Sequence, residues 1–323
     1  RVCKGYSQFV PHKDTFAPVG SITTMRLLFA IATAKRYKIK QLDVEGAFLY
    51  GELPTPVFMK HPIYKDRVLK VTKSLYGLRS APKIWHNTLT DHLLAQGFSR
   101  SNADPCVFLK QNVIIFIYVD DLLMFCPPKH ASVLSEVANS LKKRFTIKEL
   151  SVVNNSLDVL GMKVLFRSEG TYLVQSGYTS KILRDFSEFI SNRPQSVPIT
   201  DANFEHSPPL DAEGKSKYRQ LVGSVLYLST RTRPDIAYAC SILGSHVSHA
   251  CEEHMKAAGK LLKYLEGTCT MGLFYSTNFS HGLTAYSDSD FAGDKSDSKS
   301  RSVFLFTYNQ GLSLIHISQG IVR

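Results

Sequence analysis

The apolar positions fall into blocks whose spacing changes along the chain. In SITTMRLLFAIATAKRY (21–37), Leu27, Leu28, Ile31 and Ala34 recur at helical spacing behind a Ser/Thr-rich start, which predicts an amphipathic helix. KIKQLDVEGAF follows and reads as a strand ending in a turn at Gly46. The proline-rich ELPTPVFMKHPIYKD reads as a loop leading into a short strand, RVLKVT. In RSAPKIWHNTLTDHLLAQGF, Trp85, Leu89 and Leu93 share one helical face; Ser80 suits the cap, Pro82 the first turn and Gly97 the exit. CVFLKQNVIIFIYVDDLLMFCPP reads as two or three strands around turns, and KHASVLSEVANSLKKRF as a helix with a basic end.

Beyond about residue 150 the pattern is more mixed. SVVNNSLDV reads as a polar loop, and GMKVLFRSEGTYLVQ as a hairpin bent at Glu169-Gly170. ITDANFEHSPPLDAEGKS has a linker's composition. Helices are predicted near Tyr218–Thr230 and Pro234–Ser245, and a third over EEHMKAAGKLLKYLEGT, ending at Gly267. GLFYSTNFSHGLTAYSDSDFAG alternates like a hairpin. Helices and antiparallel strands thus mix without strict βαβ alternation, which predicts an α+β fold.

Composition narrows the class. At 323 residues and 44% hydrophobic, the chain is long and apolar enough for two or three domains. A net charge of +12 favours a polyanionic partner, nucleic acid or an anionic membrane surface. No apolar run long enough to span a bilayer is free of charge, and RVCKGYSQFV lacks the apolar core of a signal peptide, so nucleic acid is the better expectation and no membrane partner is expected. The six cysteines form no C-x-x-C pair and read as small buried hydrophobes.

One apolar block carries a contradiction. FIYVDDLLMF places Asp120 and Asp121 side by side among residues that look buried, and a buried, unpaired carboxylate costs several kcal/mol. A solvated hairpin turn is the plain reading of Asp-Asp, although such turns more often carry Gly, Asn or Pro. A metal site is the other. Asp43, at the end of an earlier predicted strand, would bring a third carboxylate. Mutual repulsion among carboxylates is relieved by a hard divalent cation, and two such ions clamp an in-line phosphoryl displacement. The residues alone leave both readings open.

Several stretches, in order, resemble the polymerase of copia-type retrotransposons: TFAPV, QLDVEGAFLYGEL, KSLYGLRSAPKIW, GFSRSNADPCVF, YVDD, YRQLVGSVLYLSTRTRPDIAYA, HMKAAGKLLKYLEGT and AYSDSDFAGD. The resemblance covers nearly the whole chain, except about 152–158 and the last dozen residues. It implies an α+β right-hand polymerase, with fingers and palm over 1–170, thumb and connection over 171–280, and a truncated ribonuclease H-like remnant over 281–323. The implied reaction is RNA-directed DNA synthesis, adding deoxynucleotides to a primer 3′-hydroxyl. Two Mg²⁺ ions, with Mn²⁺ as the alternative, would be held by Asp43, Asp120 and Asp121. The implied partners are an RNA template, a DNA or tRNA primer and dNTPs. The implied location is a cytoplasmic virus-like particle whose product goes to the nucleus.

Residue by residue, the resemblance sets Val44 beside the metal and the nucleotide phosphates, and Phe48 at an aromatic gate that would reject a ribose 2′-hydroxyl. Phe48 also reads as a plain core residue. Gly77 and Arg79 match the loop covering the incoming nucleotide, with Arg79-Ser80 where the family commonly has Lys-Gln. Lys4 and Arg1 match a basic fingers segment near the triphosphate. Trp85 reads as core. Lys148 matches a proton-donating lysine, though KKRFTIKEL also reads as a basic helix end. GMKV (Gly161–Val164) matches the primer-gripping hairpin. Asp288 matches the first ribonuclease H carboxylate, but no acidic residue follows Asp297, so RNA cleavage is not expected. Two alternatives stand beside an active polymerase: a non-catalytic nucleic-acid-binding remnant, and an unrelated phosphoryl-transfer palm.

Overall fold

The computed structural model describes residues 5, 15–61, 63–64, 66–199, 204, 207–291 and 299–320. The chain divides into two compact units, Arg1–Ser151 and Val152–Arg323.

The first unit is built on a six-stranded antiparallel sheet. Helix α1 (Ile22–Ala34) starts at Ser21, whose side chain accepts a hydrogen bond from the Thr23 N–H. Strand β1 (Lys38–Val44) follows, then β2 (Glu52–Lys60) and β3 (Val68–Lys73). Of the segment expected to be a proline-rich loop, Glu52–Lys60 is instead a strand: β2 and β3 pair as their own ribbon, with a register shift between Glu52 and Val57 that accommodates Pro54 and Pro56. Helix α2 (Ala81–Ala95) begins after Ser80, which stands at the cap position without the expected side-chain bond; Gly97, just past the end, has φ +81°. Strands β4 (Ser99–Arg100), β5 (Val107–Lys110), β6 (Val113–Tyr118) and β7 (Asp121–Cys126), helix α3 (Ala131–Lys142) and β8 (Ile147–Leu150) complete the unit. The sheet order is β4-β5-β6-β7-β1-β8.

Strand alternation sorts the central residues onto two faces. Leu42, Val44, Leu122, Met124 and Cys126 join one buried core with Trp85, Leu89 and Leu93 of α2 and Leu134, Ala138 and Leu141 of α3. Gln41, Asp43, Asp121, Leu123 and Phe125 lie on the other face, where Phe29 of α1 meets Phe125 edge-on at 5.7 Å. A buried acid in this unit, Asp104, has its carboxylate engaged by hydrogen bonds. It accepts from Thr24 Oγ1 at 2.7 Å, the Ser21 N–H at 3.3 Å and the Cys106 N–H at 2.9 Å.

The second unit contains β9 (Ser156–Val159), β10 (Met162–Phe166), β11 (Gly170–Val174), α4 (Ser176–Asp185), α5 (Ala212–Arg231), α6 (Ala237–Ser245), α7 (Glu252–Gly267), β12 (Gly272–Ser276), β13 (Leu283–Ser289), β14 (Ser300–Tyr308) and β15 (Gly311–Gly320). SVVNNSLDV is only partly the expected loop. Asn154 and Asn155 turn with positive φ, and Ser156 begins β9. β9 and β10 are joined through Leu160 and Gly161, both at positive φ, as a type I′ two-residue hairpin turn requires. β12 and β13 do not pair as the expected hairpin: β12 closes the sheet β12-β11-β10-β9, while β13 belongs to the sheet β13-β14-β15. Helices α4–α7 share one core, closed at its end by buried Arg233, which grips Asp235 at 2.8 Å and the Thr268 carbonyl at 2.8 Å. Cys106, Cys126 and Cys240 are buried as expected; Cys251 and Cys269 are half-buried.

Candidate active site

The acidic constellation forms on one edge-to-edge row of the first unit's sheet. Asp43 of β1 stands directly opposite Asp121 of β7, and on its other side opposite Lys148 of β8; Asp121 in turn stands opposite Tyr118 of β6. Directly opposed residues in an antiparallel pair share a face, so Tyr118, Asp121, Asp43 and Lys148 form a transverse row. Lys148 therefore lies on an edge strand, not at a helix end.

Asp120 comes from the turn between β6 and β7. The loop has two residues, Val119 and Asp120, and only Val119 has positive φ, at +58°. That is the II′ pattern, in which glycine is favoured at the first position. A β-branched residue held there costs on the order of 1–3 kcal/mol. Asp120's carbonyl accepts the Val44 N–H at 3.0 Å, which locks the turn to the end of β1. Val44 thus has its N–H engaged and its side chain in the core.

Electrostatics single out Asp121. Burial raises its pKa, a hydrogen bond from Gln41 Nε2 (3.1 Å) opposes that rise, and the charges of Asp120 and Asp43 add to it. Gln41 is 2% exposed, and its Oε1 has no hydrogen-bond partner, so its amide is held in place chiefly through Asp121. Tyr76 feels the same charges: its phenol pKa is raised by burial, then by Asp120 and Asp43. Among the described residues none of the three aspartates forms an ion pair.

Phe48 sits in a short 3-10 turn, Ala47–Tyr50, after β1, and its ring meets Tyr76 edge-on at 4.7 Å. Gly77 has φ +94°, a conformation glycine adopts freely, and Arg79 is exposed at the start of α2. Trp85 is core, 2% exposed, and its indole N–H donates to the Val119 carbonyl at 2.7 Å. Lys4 and Arg1 lie outside the described residues. Asp288 belongs to the second unit, exposed on β13. Gln41, Tyr76 and the Trp85–Val119 bond had no sequence signal beyond ordinary strand, loop and core residues.

Among the described residues no three His, Cys, Asp or Glu side chains converge into a ready-made metal cage. Mg²⁺ does not need one, because it commonly takes one or two carboxylates and completes its shell with water and substrate phosphates. Opposed carboxylates without a paired cation, one of them resisting ionisation, are a donor set that fits such an ion.

Residues 1–201 match the family of reverse transcriptases (RNA-dependent DNA polymerases). The chain belongs to the reverse transcriptase family. It is 35% identical over 314 residues to the retrovirus-related Pol polyprotein from transposon RE1 of Arabidopsis thaliana, covering 92% of this chain and 21% of that protein. It is 31% identical over 333 residues to the corresponding polyprotein from transposon TNT 1-94 of Nicotiana tabacum, covering 96% of this chain and 24% of that one. This reverse transcriptase chain thus spans about a fifth to a quarter of the length of these copia-type relatives. A foamy viral protease–reverse transcriptase, solved with double-stranded DNA, shares its fold at a TM-score of 0.51 and 12% identity, over 90% of this chain and 45% of that one.

Proposed function

We propose that the chain is an RNA-directed DNA polymerase, adding deoxynucleotides to a primer 3′-hydroxyl on an RNA template. The observation that carries this reading is the register pair Asp43–Asp121, with Asp120 tethered beside it. In this reading Asp43, Asp120 and Asp121 hold Mg²⁺, or Mn²⁺ in its place, as a pair of ions. Bound there, the metal would lower the pKa of the attacking hydroxyl and neutralise the leaving pyrophosphate. Gln41 keeps the Asp121 carboxylate turned to the row and favours its charged form. Lys148, next in the row, offers an ammonium group to the departing pyrophosphate. Phe48, backed by Tyr76, forms a wall against a 2′-hydroxyl, and Arg79 and Lys4 contribute positive charge to the triphosphate. DNA or tRNA primers, and a virus-like particle in the cytoplasm, follow from the resemblance to transposon polymerases.

The test is primer extension by the purified chain on an RNA template with a DNA primer, the four dNTPs and Mg²⁺. Extension that depends on dNTPs and on the template is expected. Tight duplex binding with no incorporation would favour the non-catalytic remnant instead.

A further inference from the structure

The turn that carries Asp120 is strained at Val119, and something must hold it. Two hydrogen bonds flank Asp120. On its far side the Asp120 carbonyl is tied to the Val44 N–H at 3.0 Å. On its near side the Val119 carbonyl accepts the indole N–H of Trp85 at 2.7 Å. The peptide planes before and after Asp120 are therefore both fixed from outside the turn. The indole itself is wedged in place: the Phe145 ring meets it edge-on at 5.4 Å, and the Tyr50 ring lies 6.2 Å away. Tyr50 is pinned in turn, its hydroxyl accepting the Thr146 N–H at 2.6 Å. An indole has one N–H donor and no acceptor, and that donor is spent on the Val119 carbonyl.

We propose that Trp85 is a positioning residue for the reaction: its indole N–H holds Val119 in the left-handed conformation and so fixes the plane from which Asp120 is presented. This rests on the polymerase reading above. A valine is rarely stable at φ +58°, so the surrounding structure must over-determine it. Phenylalanine at position 85 would fill most of the same space without the donor. Val119 would then relax, and Asp120 would move relative to Asp43. Glycine at 119 reaches the same φ without strain, which makes the turn independent of the indole.

Steady-state incorporation of one deoxynucleotide, on an RNA template with a DNA primer and Mg²⁺, is compared for wild type, Trp85→Phe and Trp85→Phe/Val119→Gly. Trp85→Phe is expected to lower kcat on the order of 10- to 100-fold, the scale of small misplacements in a catalytic site, with KM for the nucleotide held within about twofold. Val119→Gly is expected to restore most of that loss. A Trp85→Phe enzyme with wild-type kcat, or a loss that glycine at 119 leaves untouched, overturns the proposal, because a packing defect at Trp85 would not be cured at the turn.

A second measurement needs no activity and no change at Trp85. The chain has one tryptophan, so isotope labelling gives a single indole N–H resonance. It should show a hydrogen-bonded shift and slow solvent exchange, and it should keep both in Val119→Gly, where the same carbonyl remains in place. An indole at the free shift, or one whose N–H exchanges freely with solvent, overturns the clamp. If the indole behaves as expected while wild type incorporates nothing, the clamp stands and the polymerase reading is the one that fails.

Discussion

Asp121 and Asp288 both sit on antiparallel strands next to further acidic residues, yet their surroundings differ. Asp121 is half-buried, faces Asp43 across the ladder, and is held above the usual carboxylate range by burial and by the charges of Asp120 and Asp43. Asp288 is exposed on β13, faces Val303, and accepts a hydrogen bond from its own neighbour, the Ser289 N–H, at 2.9 Å. Nearby Asp290 is likewise engaged, by the Arg301 N–H at 2.6 Å. Carboxylates opposed in a half-dry row carry an unrelieved repulsion that a cation answers. A carboxylate in water, capped by backbone, carries none. Asp104 makes the same point from inside: buried, but accepting three hydrogen bonds, it has no reason to bind an ion.

This contrast is open to direct attack. The largest effect is expected at Asp43. Asp43→Asn should lower deoxynucleotide incorporation by on the order of 10³-fold or more, as removal of groups acting in the transition state does, while anisotropy shows duplex binding retained. Next, Phe48→Ala should relax discrimination against ribonucleotides by about 10- to 100-fold, the span of one altered pocket contact, read from competing dNTP and rNTP incorporation. Gln41→Leu fills similar space but removes the donor to Asp121; a loss of about tenfold in kcat, with melting temperature nearly unchanged, is expected from one charge-assisted hydrogen bond.

A smaller effect falls on stability in the second unit. There His254 accepts the Cys251 N–H at 3.0 Å through Nδ1, stacks on His246 at 4.1 Å and lies beside His249. Burial first, then the charges of His246 and His249, push its pKa from 6.5 down to about 4, against a weak opposing pull from Glu253. Its folded pKa is depressed, so the stability it contributes is full above pH 6.5 and is lost as pH falls towards 4. Denaturant melts should show a decline on the order of 1–2 kcal/mol over that range, flattened in His254→Gln. Smallest of all, Asp288→Asn should leave incorporation within about twofold of wild type, as expected of an exposed side chain on the other unit.

Much of this was legible because periodicity and turn residues agree with the fold over long stretches. α1 with its Ser/Thr-rich start, β1 ending near Gly46, and the β6–β7 hairpin follow from local pattern. The failures have local causes too. β2 carries Pro54 and Pro56, which signal a loop, but a two-stranded ribbon with a register shift tolerates them. β12 and β13 alternate like hairpin partners, but their pairing is decided by β11 and β14, distant in sequence. At the site, Asp120 and Asp121 could be singled out because charge inside an apolar run is conspicuous, and Asp43 because it ends a predicted strand. Gln41, Tyr76 and the indole of Trp85 could not, since a glutamine in a strand, a tyrosine in a loop and a tryptophan in a helix have ordinary places to be. Their roles exist only through registers and angles that link separate elements.

In the proposed reading Asp43 and Asp121 of the row, with Asp120 from the adjoining turn, do the chemistry, and binding of the primer–template does not depend on them. Single-turnover extension by Asp120→Asn, measured beside its affinity for the same RNA–DNA primer–template, tests it most directly. The account predicts binding within about twofold of wild type and incorporation lost by on the order of 10³-fold or more. Incorporation by Asp120→Asn at the wild-type rate would contradict it.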